Sequence, residues 1–196
     1  MKGLDIGCGN DKEGGFIGLD MNSKLDGVDI VHEIKRNTYL PFKDNSFDKI
    51  NLKDIVEHID DIAWFMSEIH RVSVHNSEVL IQYPHYSGRN AYNDVTHRHF
   101  LGLNAFNHFI PDTKEGSKYS YYTLFDRYFP FILEEQKISF KVKGLSDLSY
   151  CIFGSNIYEG YVSRILPISS VQLKLRVTKN SLDHIFTSYK IKKLVK

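Results

Sequence analysis

The chain has 196 residues, of which 42% are hydrophobic and 25% charged, and this length and balance suit one compact domain. Its 25 Lys and Arg residues are matched by 24 Asp and Glu residues, so no overall positive field favours nucleic acid as a partner. No apolar run reaches the ~18 residues of a membrane-spanning helix, and the N-terminal residues lack a signal-peptide pattern. With two distant cysteines, Cys8 and Cys151, these features predict a cytoplasmic protein without a membrane partner.

Short apolar runs separated by loops predict the strands of an α/β sheet in the first half of the chain. These runs cover residues 3–6, 16–19, 28–31, 47–52 and 78–83. Apolar residues at steps of three and four between positions 55 and 69 predict an amphipathic helix, which would form a crossover between parallel strands. Only residues 7–15 separate the first two strands, so we predict a shortened first crossover without a full helix.

Longer runs in the second half, over residues 131–142 and 170–178, predict an antiparallel strand pair that completes the sheet. A helix-compatible stretch at 157–166 precedes the second of these runs. The predicted fold class is therefore α/β, with a Rossmann-like, mostly parallel sheet. We predict a single domain over residues 1–180 and a basic C-terminal tail over residues 181–196.

The strongest chemical motif is an apolar strand that runs into two glycines, Gly7 and Gly9. Glycines remove side chains from the turn, so main-chain groups can approach a bulky ligand at the carboxyl end of the sheet. The second strand ends at Asp20, and a carboxylate in this position can accept hydrogen bonds from both hydroxyls of a ribose. Alone, the glycines also fit an ordinary turn and Asp20 a solvated turn residue. Together they predict a site for a ribose-containing cofactor.

Five motifs in order resemble the class I S-adenosylmethionine-dependent methyltransferases, specifically the small bacterial methyltransferase-domain type. They are Leu4-Asp-Ile-Gly-Cys-Gly9, Gly18-Leu-Asp20, Leu40-Pro-Phe-Lys-Asp-Asn-Ser-Phe-Asp48, Asp54-Ile-Val-Glu-His-Ile59 and Glu68-Ile-His-Arg-Val72. Two later segments, Pro84-His-Tyr-Ser87 and Asp94-Val-Thr-His97, are similar to a subset of these enzymes. The resemblance implies a Rossmann-like methyltransferase fold, S-adenosyl-L-methionine as cofactor and methyl transfer as the reaction.

The resemblance also implies roles for matching positions. Gly7 and Gly9 would contact the methionine part of the cofactor, and Asp20 would bind the ribose. Glu33 would reach the adenine amino group, and Lys53 with Asp54 would lie beside the methyl group. The full set of predicted cofactor-binding residues is Asp5, Gly7, Cys8, Gly9, Asp20, Met21, Glu33, Lys53 and Asp54. The family's third glycine and first helix are replaced here by Asp11-Lys-Glu-Gly-Gly15, which leaves the enclosure of the cofactor open.

Methyl transfer is a direct displacement, so the enzyme mainly aligns the acceptor and excludes water, and a base is needed only for alcohol-like acceptors. His85 and His97 follow the fifth strand and are the predicted catalytic bases, because a neutral imidazole can take a hydroxyl proton. Each also fits a hydrogen-bonded loop histidine. His58, beside Glu57, is interpreted as organising its turn.

The sequence gives little direct information on the acceptor. It has no basic stripe, aromatic stacking platform or Asn-Pro-Pro-Tyr-like tetrad, which disfavours a nucleobase. A hydroxyl of a sugar or secondary metabolite is the predicted acceptor, and no oligomeric state is indicated.

Three alternatives stay open. Asp94, His97 and His99, with His85, could bind a divalent metal, but Arg98 between the histidines would repel a cation, so no metal site is predicted. A non-catalytic cofactor-binding or scaffold protein of the same fold is the second. An NAD(P)-dependent oxidoreductase is the third, although the chain lacks the third glycine and the first helix that would hold a pyrophosphate.

Overall fold

The computed structural model describes residues 1–179 and contains seven strands in one sheet. The first half of the chain contributes β1 (Gly3–Ile6), β2 (Phe16–Asp20), β3 (Ile30–Val31), β4 (Phe47–Lys53) and β5 (Ser73–Pro84), and the second half β6 (Phe131–Phe140) and β7 (Ile168–Val177). Their order across the sheet is β3-β2-β1-β4-β5-β7-β6. The first five strands pair in parallel, whereas β7 runs antiparallel to both β5 and β6. This arrangement confirms the predicted fold class. The predicted tail at 181–196 lies outside the described residues, so the domain boundary stays a prediction.

Four α-helices lie within residues 1–179: α1 (Ile62–Val72), α2 (Asn90–Asn93), α3 (Lys114–Tyr119) and α4 (Leu145–Gly160). Short 3-10 helices lie at Val56–His58, Asn107–Phe109, Tyr121–Asp126 and Val162–Arg164. None of these helices has both the length and the apolar character needed to cross a bilayer. Crossovers between parallel strands usually contain a helix. The connections after β1, β2 and β3 contain turns and irregular segments instead.

Two helix predictions were wrong in their boundaries. The helix expected from residue 55 begins at Ile62, because Asp61 caps it by accepting the backbone N–H of Trp64 at 2.9 Å. The helix expected over 157–166 instead begins at Leu145 and contains a kink at Gly154. Many apolar side chains of α4 are exposed, including Leu148 at 59% and Ile152 at 65%, so α4 lacks the single apolar face that periodicity detects.

Side chains hold the first crossover in place of the missing helix. The buried carboxylate of Asp5 accepts the backbone N–H of Glu13 at 2.8 Å, and the Glu13 carboxylate pairs with Lys53 at 3.3 Å. The backbone N–H of Gly7 donates to the carbonyl of Leu19 at 2.8 Å, which joins the turn to β2. The prediction of a shortened crossover is thereby confirmed, and the turn after β1 is positioned without a helix.

A second buried network joins α1 to the loop before β6. The Glu68 carboxylate is 2% exposed and accepts hydrogen bonds from Arg71 and Arg127, both at 2.8 Å, and from the backbone N–H of Leu40 at 3.1 Å. Burial alone would raise the pKa of Glu68, but these three hydrogen bonds outweigh it and lower that pKa. The motif Glu68-Ile-His-Arg-Val72 therefore contributes an anchor for the loops on this side of the sheet.

Candidate active site

Two adjoining cavities open at the carboxyl ends of the parallel strands. The larger cavity, of about 620 Å³, lies beyond β1 and β2, and the smaller cavity, of about 570 Å³, lies beyond β4 and β5. Both volumes fall in the range of small-molecule and cofactor sites. Parallel α/β sheets bind ligands at this edge, where strand order reverses on either side of the first strand. The two cavities are therefore the candidate active site.

Four of the predicted cofactor residues line the larger cavity: Gly7, Asp20, Met21 and Glu33. The Asp20 carboxylate is oriented by two backbone donors, because one oxygen accepts the N–H of Gly9 at 3.2 Å and the other that of Asn22 at 2.9 Å. The Glu33 carboxylate is exposed and pairs with Lys35 at 2.7 Å. The structure thus brings Gly7, Asp20 and Glu33 to one cavity from three separate strand ends.

Gly7 satisfies two conditions that favour glycine. Its φ of +69° lies in the left-handed region, and a Cβ at this position would lie 2.8 Å from the side chain of Ile55. Ile55 lines the same cavity. A glycine after β1 therefore allows the turn to pack directly against the segment that follows β4.

The other predicted cofactor residues lie elsewhere. The backbone N–H of Gly9 donates to Asp20. The first crossover is held by the side chains of Asp5 and Lys53. Cys8 is buried, and its thiol donates to the carbonyl of Gly27 at 3.3 Å. Burial raises the pKa of the Cys8 thiol, which supports its interpretation as a structural residue. Asp54 lines the smaller cavity, where its carboxylate accepts an amide hydrogen of Gln82 at 3.1 Å. These residues shape the loops around the cavities.

The smaller cavity has a polar lining without Lys or Arg among the described residues. Its polar side chains are those of Asp54, Glu57, Gln82, Asn90, Asn93, Asp94, His97, Ser169 and Ser170. Carboxylates, amides and hydroxyls in this mixture offer many hydrogen-bond acceptors and several donors. The site therefore suits a polar ligand without negative charge.

The two cavities meet at Val95 and His97, which line both of them. His97 has its Nδ1 atom 2.9 Å from the carbonyl oxygen of Ala91, and its Nε2 atom lies 3.8 Å from Oε1 of Glu57. Glu57 is 1% exposed, and burial raises the pKa of its carboxyl group to about 7. A titratable pair with one strongly shifted member is typical of functional sites.

His85 does not lie at either cavity, although it directly follows β5 as predicted. Its side chain is fully buried, with Nδ1 at 2.9 Å from the Ser87 hydroxyl and Nε2 at 3.1 Å from the Glu159 carboxylate. Both ring nitrogens are thus occupied in joining the end of β5 to α4. The position along the strand was correct, but the side chain packs away from the site.

Glu57 and His58 each line one of the two cavities, a placement that the sequence did not predict. His58 does organise its turn, since its Nδ1 lies 2.9 Å from the Thr96 hydroxyl, but it also lines the larger cavity. The metal set considered from sequence is not assembled, because His85 is buried elsewhere and His99 bonds the carbonyl of Ile59 at 2.8 Å. The adjacent pair Glu57-His58 in the segment that follows a strand was the available signal for these two residues.

Comparisons with known proteins agree with this geometry. A family model described as a methyltransferase domain matches residues 4–81, which span β1 to most of β5 and include the turn at Gly7 and Asp20. Residues 4–81 of the chain therefore match a methyltransferase domain. This match and the solved structures of the same fold support S-adenosylmethionine as the cofactor, and they disfavour the oxidoreductase alternative.

Solved structures show that the methyltransferase fold extends over nearly the whole chain. A SAM-dependent methyltransferase from Archaeoglobus fulgidus is 20% identical, with a TM-score of 0.55 over 89% of this chain and 85% of that one. The YcgJ protein from Bacillus subtilis is 14% identical, with a TM-score of 0.56 over 92% of both chains. A methyltransferase from Mesorhizobium loti is 12% identical, with a TM-score of 0.54 over 89% of this chain and 90% of that one. No curated protein matches the sequence.

Proposed function

We propose that this methyltransferase transfers the methyl group of S-adenosylmethionine, bound in the larger cavity, to a hydroxyl of a small polar molecule bound in the smaller cavity. A sugar or a secondary metabolite is the acceptor class we favour. The observation that carries the proposal is that Val95 and His97 line both cavities. A donor in one cavity and an acceptor in the other would meet beside these two residues, which supplies the proximity that a direct displacement needs.

In this proposal the cofactor lies along the strand ends in the larger cavity. Asp20 accepts hydrogen bonds from the ribose hydroxyls, Gly7 allows the backbone to approach the methionine part, and Glu33 binds the adenine amino group. Met21 lines the same cavity and would pack on the cofactor from the exposed side. The first crossover, and with it the cofactor cavity, is held in place by Asp5, Cys8, Gly9 and Lys53. Asp54 faces the acceptor.

The lining of the smaller cavity supports a neutral, hydroxyl-rich acceptor. Its carboxylates and amides can accept and donate hydrogen bonds to hydroxyl groups, whereas the absence of Lys and Arg from this lining disfavours phosphorylated acceptors. Amines would also suit the negative charge of Asp54, Glu57 and Asp94. A test of the acceptor therefore has to compare hydroxyl compounds with the corresponding amines.

We propose His97 as the proton acceptor for the transfer. Its Nδ1–H donates to the carbonyl of Ala91, which leaves the Nε2 lone pair available. The hydroxyl oxygen forms a bond to the methyl carbon as the carbon–sulfur bond breaks, the hydroxyl proton passes to Nε2, and neutral S-adenosylhomocysteine leaves. His85 takes a positioning role instead, because its ring joins β5 to Glu159 of α4.

Calorimetry tests the placement of the cofactor. We expect Asp20→Asn to weaken S-adenosylmethionine binding about 10-fold to 100-fold, since a charge-assisted hydrogen bond is worth about 1.5–3 kcal/mol. Asp26→Asn is the matched control, because Asp26 is an exposed carboxylate close in sequence and outside both cavities. Equal affinities of wild type and Asp20→Asn would contradict the placement of the ribose at Asp20.

Release of S-adenosylhomocysteine tests the acceptor. A panel of neutral sugars and polyols, the corresponding amines, the corresponding phosphate esters and a single-stranded RNA is incubated with enzyme and cofactor. We expect turnover with neutral hydroxyl compounds and none with phosphate esters or RNA. Turnover with amines alone would overturn the hydroxyl proposal.

We also propose a cytoplasmic location, supported by the two free cysteines, Cys8 and Cys151.

A further inference from the structure

We infer that Glu57, His58 and His97 form a binding site for one divalent transition-metal ion where the two cavities meet. One potential ligand atom from each of these side chains lies within 4.8 Å of the others. Two histidines and one carboxylate are a donor set that suits zinc and related ions. The segment after β4 contributes Glu57 and His58, and the loop after α2 contributes His97.

Glu57 provides an observation that points to a ligand. Its side chain is 1% exposed, and neither carboxylate oxygen has a hydrogen-bond partner. A buried carboxylate without a partner is costly, and buried charges in proteins are normally paired or coordinate metals. The nearest imidazole nitrogen, Nε2 of His97, lies 3.8 Å from Oε1, beyond hydrogen-bond distance. A cation between these two atoms would satisfy the carboxylate.

Hydrogen bonds prepare both histidines as ligands. His97 donates its Nδ1–H to the carbonyl of Ala91, so Nε2 carries a free lone pair. The Thr96 hydroxyl donates to Asp94 at 2.6 Å and can therefore only accept from Nδ1 of His58, 2.9 Å away, which leaves Nε2 of His58 unprotonated. Metal-binding histidines commonly donate the other ring N–H to a carbonyl or a carboxylate-linked group in this way.

The dimensions of the cluster fit a small ion. Zinc lies about 2.0–2.2 Å from nitrogen and oxygen ligands, so two ligands at a tetrahedral angle lie about 3.4 Å apart. The 3.8 Å between Nε2 of His97 and Oε1 of Glu57 is close to that separation. Arg98, which would repel a cation, instead pairs with Asp60. Three protein ligands would leave a fourth position open to a ligand in the cavities.

The role of the ion rests on the proposed function, whereas its binding does not. An ion at the junction would replace His97 as the activating group, because metal coordination lowers the pKa of a bound oxygen and makes it a better nucleophile. The acceptor hydroxyl would occupy the open position, adjacent to the cavity that holds the methyl donor. The acidic lining of the smaller cavity would also favour entry of a cation.

Zinc titration of the full chain, purified without a histidine tag and stripped of metal, tests the inference by calorimetry. We expect one ion per chain, and a loss of affinity of at least about 100-fold in Glu57→Gln, His58→Asn and His97→Asn, since even changes beyond the ligands weaken metal sites 10-fold to 100-fold. The asparagine variants keep an amide donor in place of Nδ1–H. His99→Gln, which keeps a donor to Ile59, is the matched control and should bind zinc like wild type.

Cobalt(II) in place of zinc gives a second readout, because a tetrahedral site absorbs visible light intensely whereas the octahedral aqua ion absorbs it only weakly. Circular dichroism of each variant verifies folding. Absence of stoichiometric zinc binding by the wild-type chain, or binding that survives in all three ligand variants, overturns the inference. Methyl transfer without zinc binding would leave the proposed function intact, and zinc binding without methylation of any hydroxyl would leave the metal site intact.

Discussion

Nε2 of His97 lies 3.8 Å from Oε1 of Glu57, where the two cavities meet. The backbone creates this proximity, because the N–H groups of Arg98 and His99 donate to the carbonyl of Glu57 at 2.8 and 3.2 Å. These bonds fasten the loop after α2 onto the turn after β4. The centre of the candidate site is therefore built from two segments that are distant in sequence.

Replacing His97 is expected to slow methyl transfer. His97→Asn should lower kcat about 10²-fold to 10⁴-fold, the usual contribution of a positioned acid–base group, with little change in S-adenosylmethionine affinity. Release of S-adenosylhomocysteine measures the first quantity and calorimetry the second. His99→Gln is the control for a histidine in the same loop that does not line either cavity. A wild-type kcat for His97→Asn would refute its role in the transfer.

Gly7→Ala should lower the stability of the folded protein. The new Cβ would lie 2.8 Å from Ile55, and φ of +69° disfavours any side chain, so we expect a loss of about 1–3 kcal/mol in the free energy of unfolding. Gly14→Ala is the matched control, because its Cβ would meet no atom within 4 Å. Urea unfolding measures the difference, and equal midpoints for the two variants would show that the turn tolerates a side chain.

Glu68→Ala is expected to destabilise the protein by about 3–5 kcal/mol, because it leaves the partly buried guanidinium groups of Arg71 and Arg127 without their common partner. Glu33→Ala, which breaks the exposed pair with Lys35, should cost about 1 kcal/mol or less. Chemical unfolding without cofactor compares the two variants. Similar losses would mean that the Glu68 network contributes no more than a surface ion pair.

The buried imidazole of His70 should make stability depend on pH. Its Nε2–H donates to the carbonyl of Thr178 at 2.8 Å, and burial lowers the pKa of His70 from 6.5 to about 4. As the pH falls from about 6.5 to about 4, the unfolded chain takes up a proton at this residue and the folded chain does not. The contribution of the neutral His70 imidazole to the free energy of unfolding is therefore fully present above pH 6.5. This contribution, roughly 3 kcal/mol in total, is lost as the pH falls towards 4.

Urea unfolding at a series of pH values checks this dependence. In His70→Gln the slope over this pH range should become smaller, because glutamine does not titrate but can still donate to Thr178. His75→Gln, at an exposed histidine, should retain the wild-type slope. An unchanged slope in His70→Gln would assign the pH dependence to other groups.

Much of the fold could be predicted because it depends on local patterns. Apolar runs identified every strand, although β3 proved to be only two residues long, and the spacing between Gly7 and Gly15 correctly excluded a first helix. Helix boundaries were harder to predict. The cap at Asp61 shortened one helix, and α4 has no single apolar face from which its start could be predicted.

The sequence by itself determined the positions of the strands along the chain, the glycine turn and the carboxylate at the end of β2, because each follows from residues that are neighbours along the chain. Only the tertiary structure decided which histidine reaches the site. His85 and His97 both follow β5, but His85 packs inward against Glu159, while main-chain hydrogen bonds to Glu57 carry His97 to the junction of the cavities. Those contacts join separate segments, and no pattern within either segment specifies which partner it will meet.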